Sequence, residues 1–367
     1  MGEFMADMIP DNTAGQALDA TGVLRCADCG GALQCGGEQV ACSACGGSWP
    51  VRHGIPFFDD GSPYWGEIPQ ENMQQVVALA RGGDWRGVES YLDENFPKRK
   101  TFVYGDARAD WRFLLPVEPG WRVLELGCGW GTHTMALARN GAEVFSQDAT
   151  AERVEFLRHW SRRQGCGNVH PIVCRAPRLP YAEESFDLVV MNGFLEWVAC
   201  AYPDNINPRQ AQIQFLESIR KLLKPGGYIY VGIENRIANQ YFRGSLDHSG
   251  FKYTSLMPRA VANWYCRRKK GQGYREYTYT RRGYDKLVAR AGYSNMRFFV
   301  PIPSYNVPET IVPFQDMPRA MRYFKESRGG AQHGIKKLLA KLVSVPGFMQ
   351  IYRQIVFSFL FTAQKPK

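Results

Sequence analysis

The feature that most constrains this chain is a turn of three glycines, Gly127, Gly129 and Gly131, within Val123-Leu-Glu-Leu-Gly-Cys-Gly-Trp-Gly131. It joins Trp121-Arg-Val-Leu-Glu-Leu126, which reads as a strand, to Thr132 through Asn140, which reads as a helix. Glycines at the head of a helix let backbone amides come close to a ligand, and a dinucleotide would suit such a turn as well. The alternation then repeats. Glu143-Val-Phe-Ser-Gln147 reads as a strand, Ala151 to Gln164 as a helix, and Val169 to Cys174 and Phe186 to Met191 as strands. Gln212 to Leu223 reads as a helix stopped by Lys224-Pro-Gly-Gly227, and Tyr228 to Ile233 as a fifth strand. Strands and helices of this length in alternation predict a doubly wound, mostly parallel sheet covered on both faces.

Three further features narrow the ligand. Glu125 stands two residues before Gly127. Asp148 closes the next strand, about 20 residues on, where a carboxylate can accept both hydroxyls of a ribose. Leu179-Pro-Tyr181, Ser185-Phe-Asp-Leu-Val189 and Leu222-Leu-Lys-Pro-Gly-Gly-Tyr228 then follow in order. From about Leu114 to Ile233 this arrangement resembles the class I, Rossmann-like S-adenosylmethionine-dependent methyltransferases, whose sheet is of the seven-stranded type.

The resemblance implies S-adenosyl-L-methionine as cofactor. It places Glu125 in the cofactor-binding signature, and assigns Gly127, Gly129 and Gly131 to the methionine and ribose side and Asp148 to the ribose. Asn192 and Gly193 fall beside the sulfonium at the end of the fourth strand. The family often carries an acidic residue for the adenine amine after the third strand, where this chain has Cys174-Arg-Ala176. Arg175 cannot accept that hydrogen bond, so adenine is expected only against the backbone around Ala176. Tyr104 is a candidate partner for the cofactor's carboxylate, with a core tyrosine as the alternative.

Four of the ten cysteines cluster as Cys26-Ala-Asp-Cys29 and Cys42-Ser-Ala-Cys45. Each C-x2-C turn offers two thiolates, and two such turns supply the four soft ligands of a closed, structural zinc site. Gly30-Gly31 and Gly46-Gly47 follow the pairs and provide permissive backbone. A site of this kind contributes about 10–16 kcal/mol, which replaces the core that so short a segment lacks. Cys35 lies between the pairs as a bystander. The segment from Leu24 to Phe57 resembles the zinc ribbons that accompany many methyltransferases.

The acceptor is less legible. Enzymes that methylate the amines of bases commonly place an N/D-P-P-Y turn after the fourth strand, and here that place reads Met191-Asn-Gly-Phe-Leu-Glu-Trp197. A hydroxyl acceptor needs a general base, because its pKa lies far above 7. The strip from Glu234-Asn-Arg236 through Asp247-His248 to Tyr305-Asn-Val-Pro-Glu309 resembles methyltransferases found with bacterial polysaccharide genes. His248 beside Asp247 is the expected base, with Glu234 second; an Asp–His pair capping a loop, or a Glu234–Arg236 ion pair, would look the same. The expected reaction is O-methylation of a sugar, glycan or other hydroxylated and sometimes phosphorylated small molecule. A ribosomal-RNA-type methyltransferase is the alternative, since ribbons precede such enzymes too, and an inactive cofactor-binding scaffold is a minor one.

Formal net charge is +10, and between Pro258 and Arg297 eleven basic residues stand against Glu276 and Asp285. Such a block attracts phosphate, nucleic acid or an anionic surface, or is simply a solvated face. Tyr265, Tyr274, Tyr277 and Tyr279 interleave with it and could stack on sugars or bases. The expected organisation is a disordered leader over 1–22, the ribbon over 23–60 and a helical linker or cofactor lid over 61–115. The methyltransferase domain follows over 116–300 with a substrate insertion at 234–280, then a helical extension over 301–367. That extension carries Leu338, Leu339 and Leu342, then Phe348, Ile351, Tyr352, Ile355 and Phe359 at helical spacing, with Lys336, Lys337, Lys341 and Arg353 nearby. It is expected to pack on the domain or, alternatively, to touch a membrane peripherally. The chain shows no signal peptide and no run of about 18 apolar residues, so the expected compartment is the cytoplasm. Metal analysis of protein purified without chelator should return one zinc per chain, unchanged by Cys35→Ser; protein devoid of zinc would remove the ribbon assignment.

Overall fold

The computed structural model describes residues 22–59, 62–321 and 347–367. The chain forms two compact units, one of residues 1–104 with 117–186 and one of residues 105–116 with 187–367.

The first unit opens with the ribbon, an antiparallel sheet in the order β1 (Leu33–Gly36), β2 (Gln39–Cys42), β3 (Ser48–Arg52) and β4 (Ile55–Pro56). The two cysteine turns are built alike. In each, the first cysteine's N–H donates to a carbonyl five residues on (Cys26 to Gly31, Cys42 to Gly47). Its own carbonyl accepts from the glycine four residues on (Gly30, Gly46). Those two glycines have φ of +73° and +75°, a region closed to most side chains.

The unit's larger part is the expected alternation. Helices α1 (Gln70–Arg81), α2 (Trp85–Asn95) and α3 (Lys100–Tyr104) precede β5 (Arg122–Leu126), α4 (Thr132–Arg139), β6 (Glu143–Asp148), α5 (Ala151–Arg163) and β7 (Val169–Val173). In α1 the buried residues Met73, Val76, Val77 and Ala80 recur at helical spacing. In α2, Asp84 caps the first turn by accepting from the Gly87 amide at 2.8 Å. Strands β5, β6 and β7 pair in parallel, with Leu124 opposite Phe145 and Phe145 opposite His170. Val123, Leu124, Val144, Phe145 and Ile172 are fully buried, as strands covered on both faces require.

The ribbon docks on this unit. Phe57 bridges Val173 in parallel and the Phe58 amide donates to the Val173 carbonyl, so ribbon backbone covers the open edge of β7. Leu24 bridges Tyr181, and Arg178 reaches both the Phe58 carbonyl and Asp28. An uncovered edge strand would be a template for unwanted pairing, and the ribbon shields it at its Val173 end.

The second unit contains β8 (Phe186–Asn192), α6 (Pro208–Leu222), β9 (Leu223–Glu234), α7 (Asn239–Phe242), α8 (Arg259–Lys270) and α9 (Arg281–Arg290). It continues with β10 (Ser294–Pro303), β11 (Pro308–Pro313), α10 (Phe348–Tyr352) and β12 (Ser358–Gln364). The order is β11-β10-β12-β9-β8, with β9 antiparallel to β12, and β10 antiparallel to both β12 and β11. The Rossmann-like α/β expectation holds, with a mixed rather than mostly parallel set of strands. Strand β9 starts at Leu223, five residues earlier than expected, because Gly226 and Gly227 exchange backbone hydrogen bonds with Lys365.

The C-terminal extension corrects the helical expectation. Phe359 lies on β12, paired with Ile233, and among its described residues only 317–321 and Phe348–Tyr352 are α-helical. Phe357-Ser-Phe-Leu-Phe-Thr-Ala363 is a mostly apolar run, buried along nearly its whole length, and periodicity cannot tell such a strand from a buried helix. The Leu338, Leu339 and Leu342 group and its lysines lie outside the described residues. Among the described residues no helix is long and apolar enough to cross a membrane.

Gly131 heads α4 at φ +82°, and a Cβ there would sit 2.4 Å from Leu157 Cδ1. Gly131→Ala should cost about 1–3 kcal/mol through backbone strain, more if Leu157 cannot yield. Thermal unfolding checks this, and an unchanged Tm would show that the turn tolerates a side chain.

Candidate active site

Two groups of residues carry chemistry, one in each unit. In the first unit they surround the glycine turn. The turn amides of Gly127 and Cys128 donate to the Gln147 carbonyl, which ties the end of β5 to the end of β6. Asp148 then clamps it: one carboxylate oxygen accepts from the Gly129 amide at 2.9 Å, the other from the Thr150 amide at 2.9 Å. A carboxylate oxygen has two lone pairs, so each retains one for a ligand hydroxyl. Arg153, with 4% of its side chain exposed, lies 3.9 Å from Asp148 and pairs with Glu67 on its other side. Glu67 also accepts from the Trp130 indole at 3.0 Å, so the segment before α1 is fastened to the turn. Burial raises the Glu67 pKa, but Arg153's charge and the hydrogen bonds outweigh it and hold the carboxyl below its usual range. Glu125 is buried and accepts from the Thr134 hydroxyl, which also contacts Ser146 at 2.8 Å.

In the second unit, Asn192 and Gly193 end β8, and Glu234 ends β9. Asn192 accepts from Tyr230 at 3.3 Å, and the Gly193 amide donates to the Gly232 carbonyl at 2.8 Å. Tyr305 donates to Glu234 Oε1 at 2.9 Å. The other oxygen, Oε2, lies 3.0 Å from His248 Nε2, which is 3.7 Å from Glu196 Oε1. The 3.0 Å contact is an ion pair with the N–H off line, since neither atom completes an aligned hydrogen bond. Glu196 is wholly buried, and Gln212 holds the preceding Leu195 carbonyl at 2.9 Å. Burial and the Glu234 charge push Glu196 up to about 8. Burial pulls His248 down, but Glu234, Glu196 and Asp247 push it up to about 9. Burial likewise raises Glu234, yet its contacts with His248 and Tyr305 bring it below the ordinary range. At neutral pH the ligand-free cluster is therefore an ionised Glu234 and a protonated His248 beside a protonated Glu196.

Residues 118–275 match the family model described as a methyltransferase domain. The chain carries a methyltransferase domain. It is similar to a ubiquinone biosynthesis O-methyltransferase from Xanthomonas campestris, at 28% identity over 46% of this chain and 62% of that one. It is also similar to the 23S rRNA (uracil(1939)-C(5))-methyltransferase RlmD from Alkalilimnicola ehrlichii, at 39% identity over 22% of this chain and 19% of the relative. The chain thus spans less than two thirds of the length of these relatives. Among solved structures, Haemonchus contortus phosphoethanolamine N-methyltransferase 2 in complex with S-adenosyl-L-methionine matches at 15% identity and a TM-score of 0.42, covering 72% of this chain and 53% of that one.

The residues expected at the methyltransferase domain's cofactor turn, Glu125, Gly127, Gly129, Gly131 and Asp148, do come together. Ala176 follows β7 beside the exposed Arg175. Tyr104 packs edge-on against Trp160, and the Val103 carbonyl just before it accepts from Thr132 Oγ1 at 3.3 Å, so its segment lies against the head of α4; its own hydroxyl is buried without a hydrogen-bond partner. Burial pushes its hydroxyl up to about 12. The Asp247–His248 pairing is also corrected. Asp247 accepts from the Ser249 amide at 2.9 Å and hydroxyl at 2.6 Å, closing its own loop, and gives His248 only its charge. A histidine already protonated at neutral pH cannot take a second proton, so the free lone pair belongs to Glu234. Nor is Glu234 paired with Arg236, which donates to the Ser255 and Met257 carbonyls.

Part of the basic segment is structural, while Arg267, Arg268, Lys269, Arg282, Lys286, Arg290 and Arg297 are exposed. Arg259 sits 3.9 Å over the Tyr277 ring with Tyr274 and Tyr279 around it, and all three tyrosines are buried, unavailable for stacking on a ligand. Arg275 binds the carbonyls of Ala199, Tyr202 and Ile206, and Lys270 pairs with Glu276. Arg267, Arg268 and Lys269 are exposed in the last turn of α8, where they complement the helix dipole.

Sequence reasoning missed Glu196, Glu67 and Arg153. For Glu196 the one signal was a carboxylate inside the apolar run Phe194-Leu-Glu-Trp197. Asp148→Ala should weaken S-adenosylmethionine binding by about 1.5–3 kcal/mol for each hydrogen bond lost, and Asp148→Asn less, since one oxygen remains. Calorimetry giving wild-type affinity for a folded Asp148→Ala would remove Asp148 from the cofactor site.

Proposed function

We propose that the chain is an S-adenosylmethionine-dependent O-methyltransferase acting on a hydroxylated small molecule, with a sugar or glycan hydroxyl as the acceptor class. When bound, S-adenosylmethionine supplies a methyl group activated on a sulfonium. Asp148 would hold the ribose through its two remaining lone pairs, and the amides of the glycine turn would line the methionine side. The ribbon's residues fit a structural zinc: the four sulfurs lie within 4.8 Å of one another, with pairs at 3.6 and 3.5 Å. Four thiolates at about 2.3 Å from a zinc lie about 3.8 Å apart.

The observation that carries the acceptor assignment is the buried Glu234–His248 pair at 3.0 Å, with Glu196 beside it. In the displacement the acceptor oxygen forms a bond to the methyl carbon, the carbon–sulfur bond breaks, and S-adenosylhomocysteine leaves. The oxygen must then lose its proton, and Glu234 Oε2 is the acceptor for it. The name of the O-methyltransferase relatives supports oxygen as the acceptor atom. The polysaccharide-type strip supports a sugar.

RNA is the second reading, supported by the ribosomal RNA methyltransferase relative and by exposed Arg267, Arg268 and Lys269. Methyl transfer from labelled S-adenosylmethionine should be assayed on hydroxylated monosaccharides, glycans, phenols and ribosomal RNA. The proposal expects label on a hydroxylated small molecule, a loss of about 10²–10⁴-fold in Glu234→Gln, and normal turnover when Arg267, Arg268 and Lys269 are replaced together. Label on RNA that falls steeply with salt and vanishes in that triple variant would overturn it.

A further inference from the structure

Buried polar atoms are nearly always partnered, and the exceptions ask for an explanation. Around Glu196 four exceptions converge: both Glu196 carboxylate oxygens, Glu234 Oε2 and His248 Nε2 are buried without a hydrogen-bond partner. Glu196 and Glu234 have relative exposures of 0% and 6%, and one oxygen or nitrogen from each of the three side chains lies within 4.8 Å of the others. Two buried glutamates with oxygens left unpartnered are desolvated at high cost.

We propose that Glu196, Glu234 and His248 form a binding site for a divalent first-row metal ion, separate from the cysteine ribbon. Two carboxylates and one imidazole are a mixed oxygen and nitrogen set suited to such ions. Ligands at about 2.1 Å from a metal lie about 3 Å apart when adjacent and about 4.2 Å apart when opposite. The His248 contacts of 3.0 and 3.7 Å fall within that span. The outer support is also present. Tyr305 holds Glu234 Oε1 at 2.9 Å, so only Oε2 is offered, and the Tyr305 amide is fixed by Ser358 Oγ at 3.1 Å. Metal-ligating carboxylates are typically hydrogen-bonded in this way. His248 retains 21% side-chain exposure while its Nε2 and the carboxylate oxygens are buried, so an ion would enter past the imidazole ring.

The binding claim stands on this geometry; a catalytic role rests on the hydroxyl-acceptor reading. With an ion bound, Glu234 Oε2 would be a ligand rather than the free base of the metal-free site, the ion would lower the pKa of an acceptor hydroxyl held beside it, and that hydroxyl's proton would pass to water.

Manganese(II) is the probe, read by electron paramagnetic resonance on zinc-loaded full-length chain. One manganese per chain should bind in addition to the ribbon zinc. Glu196→Gln and Glu234→Gln should each weaken it at least about 10-fold, and Tyr305→Phe by about 10-fold, the size of outer-shell losses. S-adenosylmethionine affinity and thermal unfolding identify variants that failed to fold. No manganese bound at millimolar concentration, or unchanged binding in a folded Glu196→Gln, overturns the site whatever the enzyme methylates. Manganese bound with no hydroxyl acceptor turned over overturns the O-methyltransferase reading and not the site. Turnover of a hydroxyl acceptor at the same rate with and without manganese overturns the catalytic role.

Discussion

The carboxylate of Asp148 is the hub on which the first unit's ligand-binding turn depends. Three glycines at positive φ have little conformational preference of their own, and a turn built from them would lose its shape without an anchor. Asp148 supplies that anchor by taking one amide from the glycine turn and one from the start of α5. Arg153 balances its charge, and Glu67 balances Arg153, so one chain of alternating charges runs from the end of β6 to the segment before α1. Because both carboxylate oxygens are already oriented, a ribose would meet fixed acceptors, and little ordering would remain to be done on binding.

The second unit faces a different constraint. Its cluster places two glutamates against one histidine away from bulk water, an arrangement that alone is costly. Tyr305 holds one Glu234 carboxylate oxygen, and Gln212 and Tyr284 hold the backbone at Leu195 and Glu234. Retained cost of this sort is characteristic of sites that bind or react. The same unit uses some of its basic residues internally: Arg259, Arg275 and Lys270 each serve a tyrosine, a carbonyl or a glutamate.

What could be read from the sequence followed from how local each signal is. The glycine turn, the strands beside it and the cysteine pairs are encoded within short windows, and the structure places Gly127, Gly129, Gly131 and Asp148 together. Strand β12 was missed because a doubly buried strand has no period of two to betray it. Glu196, Glu234, His248 and Tyr305 are drawn from four separate stretches of chain, so no spacing rule joins them, and adjacency in sequence pointed to Asp247 instead. Tyr274, Tyr277 and Tyr279 alternate with basic residues as a ligand-stacking surface would, yet they enclose Arg259; only burial distinguishes the two. Docking of the ribbon on β7 was equally out of reach, since it rests on a backbone pairing between Phe57 and Val173.

The most direct test of the donor site is a crystal structure of the chain with S-adenosylhomocysteine. The ribose should lie with both hydroxyls within hydrogen-bond distance of Asp148, and the amino-acid end along the turn from Gly127 to Gly131. Cofactor density away from Asp148, or a ribose held by other residues while Asp148 keeps only its two amides, would contradict it.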